Sequence, residues 1–472
     1  MKLKFTLLVG FFLTLSQAQT PCINGFAGSY PCNKVDLLAQ MDFPQIGGNN
    51  STEGNDSWGW TDPLNGKEYA IMGCTSHTAF VDITNPTNPV YLGKVNSHNN
   101  ISSIWRDIKV YNNYAFIVSE ANGHGMQVFD LTRLRNVTTP QTFLPDTRYP
   151  GFGNCHNIAI NEATGFAYCI GSNTFSGGAH VVNIQDPLNP TFSFGYSSEG
   201  YTHDAQIVMY TGEDTEHVGK EIYFGCNEDK VIVLDVTDKS NPILISTFFY
   251  SNTAYTHQGW LTQNQKYYIV GDELDELDFG FNTRSVVIDM SDLDNPSLKF
   301  DYSGATPAID HNGYTTNDKF HLANYRAGYR VMDISQIDNE EMTEVAFLDT
   351  YPANNNAQFN GAWSVYPYFS SGTIVVSDID RGLFLVRLDA TLTNSINEKK
   401  EFTMSPNPAQ SNFSVVSETD IETIEIIDVL GKTVYQNKAV FANEFTVDVE
   451  NLQSGMYFVK FNSNSIQKLL IE

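Results

Sequence analysis

The chain has 472 residues, of which 41% are hydrophobic and 13% aromatic, and its formal net charge is −27. This composition is typical of packed domains and argues against wholesale disorder, while the negative charge argues against nucleic acid and anionic membrane surfaces as partners. The charge fits either cation binding or a solvated acidic surface in a salty medium. Beyond the N-terminus, no apolar stretch is long enough to predict a transmembrane segment.

The first eighteen residues have the pattern of a secretory signal peptide. Lys2 and Lys4 precede the apolar run Phe5–Leu15. Ser16 and Ala18 then stand at the −3 and −1 positions of a cleavage site. We therefore predict a signal peptide over residues 1–18, cut after Ala18, and loss of its two lysines changes the formal charge to −29.

Six cysteines remain in a chain that this signal would export, and disulfides persist in oxidising compartments. Cys22 and Cys32 bracket a short Gly- and Pro-containing stretch, and we expect them to pair within an N-terminal segment over residues 19–34. Cys155 and Cys169 flank a predicted hairpin, and a second pairing across it is an open alternative.

A motif of the form apolar–Asp–apolar–Ser/Thr recurs along the middle of the chain. Consecutive signature positions from residue 82 to residue 333 are 44 to 54 residues apart. A β-rich period of this size predicts an all-β fold, a seven-bladed β-propeller over residues 35–390, although six or eight blades also fit the spacing. Asx-Pro turns follow several copies, so we expect the signature Asp to cap a turn through its own backbone. The signature positions are Asp82, Asp130, Asn183, Asp235, Asp289, Asp333 and Asp389.

Each repeat divides into four strand-like runs with turn residues between them. In the second repeat these runs are Asp107–Tyr111, Tyr114–Ser119, Gly125–Thr132 and an outer run near Gln141–Leu144. The last repeat has three clear runs, and we expect Val35–Met41 to supply its fourth strand and close the ring. The repeats begin near Asp56, Arg106, His156, His203, His257, His311 and Phe359.

The repeats resemble LVIVD-repeat proteins. The stretch Trp58–Pro63, then Gly66–Ala70 and Thr78–Ile83, is similar to the start of the choice-of-anchor B family. That resemblance covers about residues 35 to 389. It implies an exported, propeller-like protein and no established activity.

The tail resembles a second family. After a polar linker over residues 391–401, Ser405–Pro408 opens a module over residues 402–472. Asp428–Lys432, Leu452–Lys460 and Lys468–Ile471 follow. This pattern looks like the C-terminal sorting domain of the type IX (Por) secretion system of Bacteroidetes, and a small β-sandwich with a binding role of its own is the alternative. The resemblance implies passage through the periplasm, contact with the type IX secretion machinery, and an extracellular or outer-membrane cell-surface location.

One histidine recurs at the start of the predicted first strand in four consecutive repeats. These residues are 47, 54 and 54 positions apart. First strands are usually innermost in a propeller, so we expect a ring of imidazoles around the central channel. They suit zinc as neutral ligands, whereas the carboxylates nearby suit calcium. The candidate metal ligands are His156, His203, His257 and His311.

Two hypotheses for function follow, and a third remains open. In the first, the chain is a secreted module that binds an extracellular ligand or protein, because no recognised catalytic motif occurs. In the second, it is a metal-dependent extracellular enzyme with a general base among Asp204, Glu273 and Asp310. The third is a purely structural surface component, in which the histidines lock blade to blade. The residues expected to hold a substrate are Arg106, Asp107, Asn157, Arg326 and Arg381.

Overall fold

The computed structural model describes residues 19–393, 402–421, 423–428, 432–437, 442–461 and 465–471. The predicted signal peptide and residues 394–401 of the predicted linker lie outside these ranges. The chain divides into two compact units, Met1–Asp389 and Ala390–Glu472.

The described part of the first unit contains seven sheets with an antiparallel core of four strands each. The first sheet consists of Gly54–Thr61, Glu68–Cys74, His77–Asp82 and Val90–Asn96. The second consists of Arg106–Tyr111, Tyr114–Ser119, Met126–Asp130 and Thr147–Tyr149. The third consists of Asn157–Asn161, Phe166–Ile170, His180–Asn183 and Thr191–Gly195. The fourth consists of Asp204–Met209, Glu221–Cys226, Val231–Asp235 and Ile243–Phe248.

The remaining sheets repeat this order. The fifth consists of Thr256–Leu261, Tyr267–Asp272, Arg284–Asp289 and Ser297–Ser303. The sixth consists of Gly313–Thr316, Lys319–Asn324, Gly328–Asp333 and Thr343–Leu348, extended by Tyr30–Asn33 and Phe26–Ala27. The seventh consists of Ala362–Tyr366, Ile374–Asp378, Gly382–Leu388 and Val35–Met41.

The first strands of successive sheets pack against one another, and those of the seventh and first sheets close the circle. This arrangement is a β-propeller with the first strands innermost. Val35–Met41 pairs antiparallel with Gly382–Leu388, which confirms the prediction that the N-terminal strand completes the last sheet. The first and last parts of this unit are thereby joined by a strand ladder.

Hydrophobic cores lie between neighbouring sheets. Phe80 of the first sheet and Phe129 of the second stack with ring centroids 4.6 Å apart, and both are fully buried. The same core takes Ile71 from the first sheet and Ile117 from the second. Each sheet therefore buries its faces against its neighbours, as a stacked repeat requires.

The signature aspartates cap turns, as predicted. Asp82 Oδ1 accepts a hydrogen bond from the backbone N–H of Thr84 at 3.0 Å, and Asp130 Oδ1 accepts one from Thr132 N–H at 2.9 Å. The same bond to the residue two positions on occurs at Asn183, Asp235, Asp289 and Asp333. The recurring motif is thus a local turn motif and not a ligand site.

The predicted outer strand of the second sheet is wrong. Gln141–Phe143 leaves its own sheet and pairs parallel with Val90–Asn96 of the first. Thr147–Tyr149 takes the outer position instead. The exchange buries Phe143 beside Phe80 and Phe129, an apolar gain that depends on the neighbouring sheet.

Cys22 and Cys32 form a disulfide in the N-terminal segment. The suggested pairing of Cys155 with Cys169 is wrong, because both are free and buried thiols. Cys169 pairs with Ile158 of the neighbouring strand, and Cys155 lies before that strand. The Cys155 Sγ donates to the carbonyl oxygens of Asn157 and Ile170 at 3.1 and 3.2 Å.

Helices are short throughout the part of the chain that the structure describes, and none is long and apolar enough to cross a membrane. They are Phe43–Ile46, His98–Asn100, Leu131–Asn136, Phe175–Gly177, Asp275–Asp278, Ile337–Asn339 and Ala390–Thr393.

The second unit has two sheets among its described residues. One consists of Phe402–Ser405, Asn412–Ile421 and Ala442–Asp448. The other consists of Thr433–Asn437, Ile424–Asp428, Gly455–Phe461 and Ser465–Ile471. They share a core that includes Phe413, Val447, Ile426 and Val459.

Candidate metal centre at the channel mouth

The four recurring histidines come together at one end of the channel. Each lies within two residues of the start of the innermost strand of its sheet, and four adjacent sheets supply one each. Neighbouring rings are in contact: the centroid distances are 4.3 Å for His156 and His203, 4.1 Å for His203 and His257, and 4.5 Å for His257 and His311. The in-register spacing of the sequence therefore produces an arc of imidazoles.

These histidines line a cavity of about 450 Å³, which we call the channel mouth. Aromatic side chains form much of the rest of its wall, together with a few polar groups. The wall residues used below are Trp105, Trp363, Tyr325, Phe359, Glu273, Asn360 and Asp380.

Hydrogen bonds fix the tautomers of three of the imidazoles. His203 Nδ1 donates to the backbone carbonyl of His257 at 3.1 Å, and His311 Nδ1 donates to that of Trp363 at 2.5 Å. His156 Nδ1 donates to Glu120 Oε1 at 2.6 Å. Each acceptor oxygen requires a proton on Nδ1. In the neutral imidazole the lone pair is then on Nε2, as in histidines that ligate metals. These bonds also lock neighbouring sheets together, so the structural role and a ligand role coexist.

Glu273 lies between two of these rings. Its Oε2 is 3.7 Å from His257 Nε2, and its Oε1 is 3.7 Å from His311 Nε2. One ligand atom from each of the three residues lies within 4.8 Å of the others. Tyr325 Oη donates to Glu273 Oε1 at 2.7 Å and orients the carboxylate. Within the described chain, His257 Nδ1 has no hydrogen-bond partner although it is buried.

The pKa values of this group favour neutral imidazoles. Burial lowers the pKa of His311 to about 3, and burial with the neighbouring histidines lowers the pKa values of His203 and His257 well below the ordinary value. Burial also raises the pKa of Glu273 to about 7. At neutral pH His203, His257 and His311 are therefore unprotonated, the form in which imidazoles bind metals.

Two imidazoles and one carboxylate form the donor set of catalytic zinc sites, which keep a fourth position open for water or a ligand. His203, in ring contact with His257, offers one more nitrogen close by. The residues present thus fit a divalent transition metal, whereas calcium prefers a shell of oxygen ligands.

The polar residues that follow the histidines lie outside the channel mouth. Asp107 forms a 2.7 Å ion pair with the buried Lys109, whose charge also acts on Asp204. Burial raises the pKa of Asp204 to about 8. Asn157 Nδ2 donates to the backbone carbonyl of His203 at 3.0 Å. These groups join the innermost strands to one another and do not line the cavity.

The three arginines expected to hold a substrate also lie outside its wall. Arg106 is 2% exposed and donates to the Cys74 carbonyl and to His124 Nε2, each at 3.1 Å. Arg326 donates to Asn360 Oδ1, a wall residue, and Arg381 lies over the rings of two tyrosines. Of the three, Arg326 is the one with a hydrogen bond to a wall residue.

Asp310 points away from the channel mouth although it directly precedes His311. It interacts electrostatically with Asp275 and Glu276, and these three carboxyls form a group that we call the acidic pocket. Burial, with the charges of Asp310 and Asp275, raises the pKa of Glu276 to about 11.

A second group with metal-ligand spacing consists of Asp214, His217 and Asp294. His217 Nε2 is 3.0 Å from Asp294 Oδ2, and the Lys220 ammonium lies 3.2 Å from His217 Nδ1. The ammonium repels a cation, and Asp294 is largely exposed. This group is a surface hydrogen-bond network.

The aromatic wall of the channel mouth does not follow from the repeat pattern. Trp363 lies in an innermost strand, a position that favours core packing, yet it contacts His311 with ring centroids 4.7 Å apart and lines the cavity. Trp105 is 39% exposed at the rim. Trp105 stands just before its innermost strand, whereas the other four tryptophans lie within theirs. This position was the only sequence signal that distinguished it.

Two family models match parts of the chain. Residues 403–472 match a secretion system C-terminal sorting domain, and residues 105–124 match an LVIVD repeat. The sorting domain indicates export through the type IX secretion system to the cell surface or beyond. No curated protein matches the chain.

Solved structures with a similar fold include hydrazine synthase of Kuenenia stuttgartiensis, with a TM-score of 0.49 and 10% identity over 68% of this chain and 92% of that one. Another is the β-propeller domain of Myceliophteria thermophila Cps50 (Swd1), with a TM-score of 0.46 and 8% identity over 71% of this chain and 96% of that one.

Proposed function

We propose that this protein is an exported β-propeller that holds a divalent transition metal at the channel mouth, with zinc the best fit, and binds a small ligand on the open side of that metal. The convergence of His257, His311 and Glu273 carries the proposal, since their ligand atoms lie within 4.8 Å of one another. The low pKa values of the imidazoles and the anchored Nδ1 of His311 support it.

The shape of the cavity supports a small organic ligand rather than a bare ion. About 450 Å³ accommodates a molecule of metabolite size. Trp105, Phe359 and Trp363 offer flat apolar surfaces beside the metal ligands. A ligand with one metal-binding oxygen or nitrogen and one aromatic or sugar ring would use both features.

The wider organisation that we propose has seven blades, one for each sheet, in a choice-of-anchor B type propeller over residues 35–390. A signal peptide over residues 1–18 precedes the disulfide-containing segment 19–34, and a linker over residues 391–401 leads to a sandwich-like sorting domain over residues 402–472. The signal pattern, the repeat resemblance and the sorting-domain match support a source among the Bacteroidetes.

A metal-dependent hydrolase is the second candidate. The donor set of two histidines and one glutamate favours it, because a zinc ion so held has an open position where water is activated. Both candidate functions use the same bound metal. They differ in whether the bound ligand is hydrolysed.

The test starts with elemental analysis of the full chain, produced without a histidine tag, followed by zinc titration. The variant His257→Ala/His311→Ala removes two ligands, and His98→Ala is the matched control, a half-buried histidine in another cavity. We expect about one zinc per chain in the wild type and the control and none in the double variant. Absence of zinc from a folded wild type after titration would overturn the proposal. Hydrolysis that depends on zinc would decide for the second candidate.

A further inference from the structure

A second cavity lies farther along the innermost strands, with a volume of about 140 Å³, and we call it the far pocket. Its wall includes Trp58 and Trp260, which follow the channel-mouth residues Gly54 and His257 by four and three positions in the same strands. At about 3.3 Å per residue, this spacing places the far pocket about 10 to 13 Å along the strands from the channel mouth. The two cavities are therefore separate sites.

Two indoles form much of the apolar wall of the far pocket, and tyrosines hold them in place. Tyr314 packs edge-on against both, with ring centroids 5.8 Å from Trp58 and 4.8 Å from Trp260. Tyr366 packs against Trp58 at 5.1 Å. Both indoles keep part of their surface exposed. Because packing already fixes these rings, a ligand that stacks on them orders little of the protein when it binds.

Hydrogen-bonding groups without partners stand beside the indoles. Gln206 Oε1 accepts a hydrogen bond from the Leu261 N–H at 2.8 Å, and Gln206 Nε2 has no partner among the described residues. Glu162 directly follows the innermost strand Asn157–Asn161, and its exposed carboxylate accepts no hydrogen bond within the described chain. The far pocket thus offers a donor and an acceptor next to a flat apolar surface.

The charges of the far pocket favour a neutral ligand. Lys109 lines it, and the Lys109 ammonium pairs with Asp107 at 2.7 Å and lies 4.6 Å from the ring centroid of Trp58. A cationic ligand would be repelled by this ammonium, and an anionic ligand by the Glu162 carboxylate. The net charge of −27 disfavours an anion further. A neutral ligand with an apolar face and hydroxyl groups avoids both repulsions.

We propose that the far pocket is a carbohydrate site that takes one neutral pyranose ring. Trp260 is the stacking surface for the C–H face of the sugar, because Lys109 already lies over Trp58. Sugar hydroxyls both donate and accept, so they can donate to Glu162 and accept from Gln206 Nε2. The volume is below the roughly 300 to 1,000 Å³ of sites for drug-sized ligands, which limits the pocket to about one ring.

The test is calorimetric titration of the full, untagged chain with glucose, galactose, mannose and N-acetylglucosamine. EDTA keeps metal out of the channel mouth. We expect at least one sugar to bind with a Kd of about 1 to 10 mM, the affinity of a small ligand with few contacts. Trp260→Ala and Glu162→Ala should each weaken this binding about tenfold or more. Because Glu162 is exposed, its variant decides the question if Trp260→Ala does not fold.

Two further variants locate the sugar. Glu216→Ala removes an exposed carboxylate outside both cavities and is the matched control for Glu162→Ala. Trp105→Ala removes an indole at the channel mouth. Both should bind the sugar as the wild type does. Loss of binding in Trp105→Ala but not in Trp260→Ala would place the sugar at the channel mouth and overturn the proposal.

Charged derivatives test the preference for a neutral ring. The amino-sugar and uronic-acid forms of the bound sugar should both bind more weakly than the neutral form. A disaccharide that binds as well as the monosaccharide indicates the end of a glycan, and one that does not indicates a free sugar; both results support the site. Stronger binding of a charged form, or no binding of any of the four neutral sugars, overturns the proposal.

Discussion

At the channel mouth His203, His257 and His311 are buried as neutral imidazoles, and two of them donate Nδ1 hydrogen bonds to backbone carbonyls. In the neighbouring acidic pocket, the carboxyl oxygens of Glu276 and Asp310 have no hydrogen-bond partner among the described residues. A neutral imidazole needs no counter-charge, so these histidines are buried with their Nε2 lone pairs available to a metal. Carboxyls at the same depth need a proton or a cation. The difference teaches that two adjacent clusters on shared loops can make the stability of the chain respond to pH in opposite directions.

The largest expected effect concerns zinc binding at the channel mouth. His257→Ala/His311→Ala should weaken zinc binding by more than about 100-fold, because removing ligands costs more than removing their outer partners. Calorimetric titration with zinc measures the change, with His98→Ala as the control. Undiminished zinc binding by a folded double variant would show that the ion binds elsewhere.

The acidic pocket should make the chain less stable at high pH. Burial raises the pKa of Glu276 above its unfolded value of 4.5, so the stability it contributes is present below pH 4.5 and is lost as pH rises toward about 11. Between pH 7 and pH 9 the wild type should lose about 2.7 kcal/mol relative to Glu276→Gln, at about 1.4 kcal/mol per pH unit. Urea unfolding in EDTA measures the difference, and parallel pH profiles would contradict it.

The channel mouth should show the opposite sign. Burial lowers the pKa of His311 from 6.5 to about 3. Below pH 6.5 this histidine is therefore protonated in the unfolded chain and remains neutral in the folded chain until about pH 3. Stability is therefore lost as pH falls. The wild type should lose about 2 kcal/mol between pH 7 and pH 5 through this residue. His311→Asn keeps a donor toward the Trp363 carbonyl and should lack this loss; an unchanged acid profile would count against the burial of a neutral ring.

The smallest effect concerns the group that orients Glu273. Tyr325→Phe removes the 2.7 Å hydrogen bond to Glu273 Oε1 and leaves the ring in place. Zinc affinity should fall about tenfold, the lower end for loss of an outer partner. A matched control is Tyr329→Phe, which removes a hydroxyl bonded to His321. Equal zinc affinities in the two variants would show that the Tyr325 hydroxyl does not orient Glu273 for zinc binding.

Local chemistry made the repeats predictable. At six of the seven signature positions the side-chain oxygen accepts a hydrogen bond from an N–H two residues on, and this bond depends on nothing outside the turn. The outer strand of the second sheet was mispredicted because its partner is non-local. Gln141–Phe143 has suitable strand residues, but burial against the neighbouring sheet decides which ladder it joins.

The equal spacing of the histidines along the repeats made their meeting predictable. The other residues of the site could not be placed by spacing alone. Residues at equivalent positions of stacked repeats meet, so His203 and His257 could be placed together from spacing alone. Their neighbours point elsewhere because successive side chains face opposite sides of a strand. For that reason Asp204 is outside the cavity wall. Asp310 precedes the strand Gly313–Thr316, and its carboxyl packs against Gly271. Tyr325 reaches Glu273 from a loop, and no periodic pattern encodes that contact.

The most direct measurement is anomalous diffraction at the zinc edge from crystals of the full, untagged chain grown with zinc. The account predicts a single strong peak at the channel mouth, about 2.0 to 2.2 Å from imidazole nitrogens of His257 and His311 and from an oxygen of Glu273. A channel mouth without zinc, with the ion bound instead at His217 and Asp294, would contradict it.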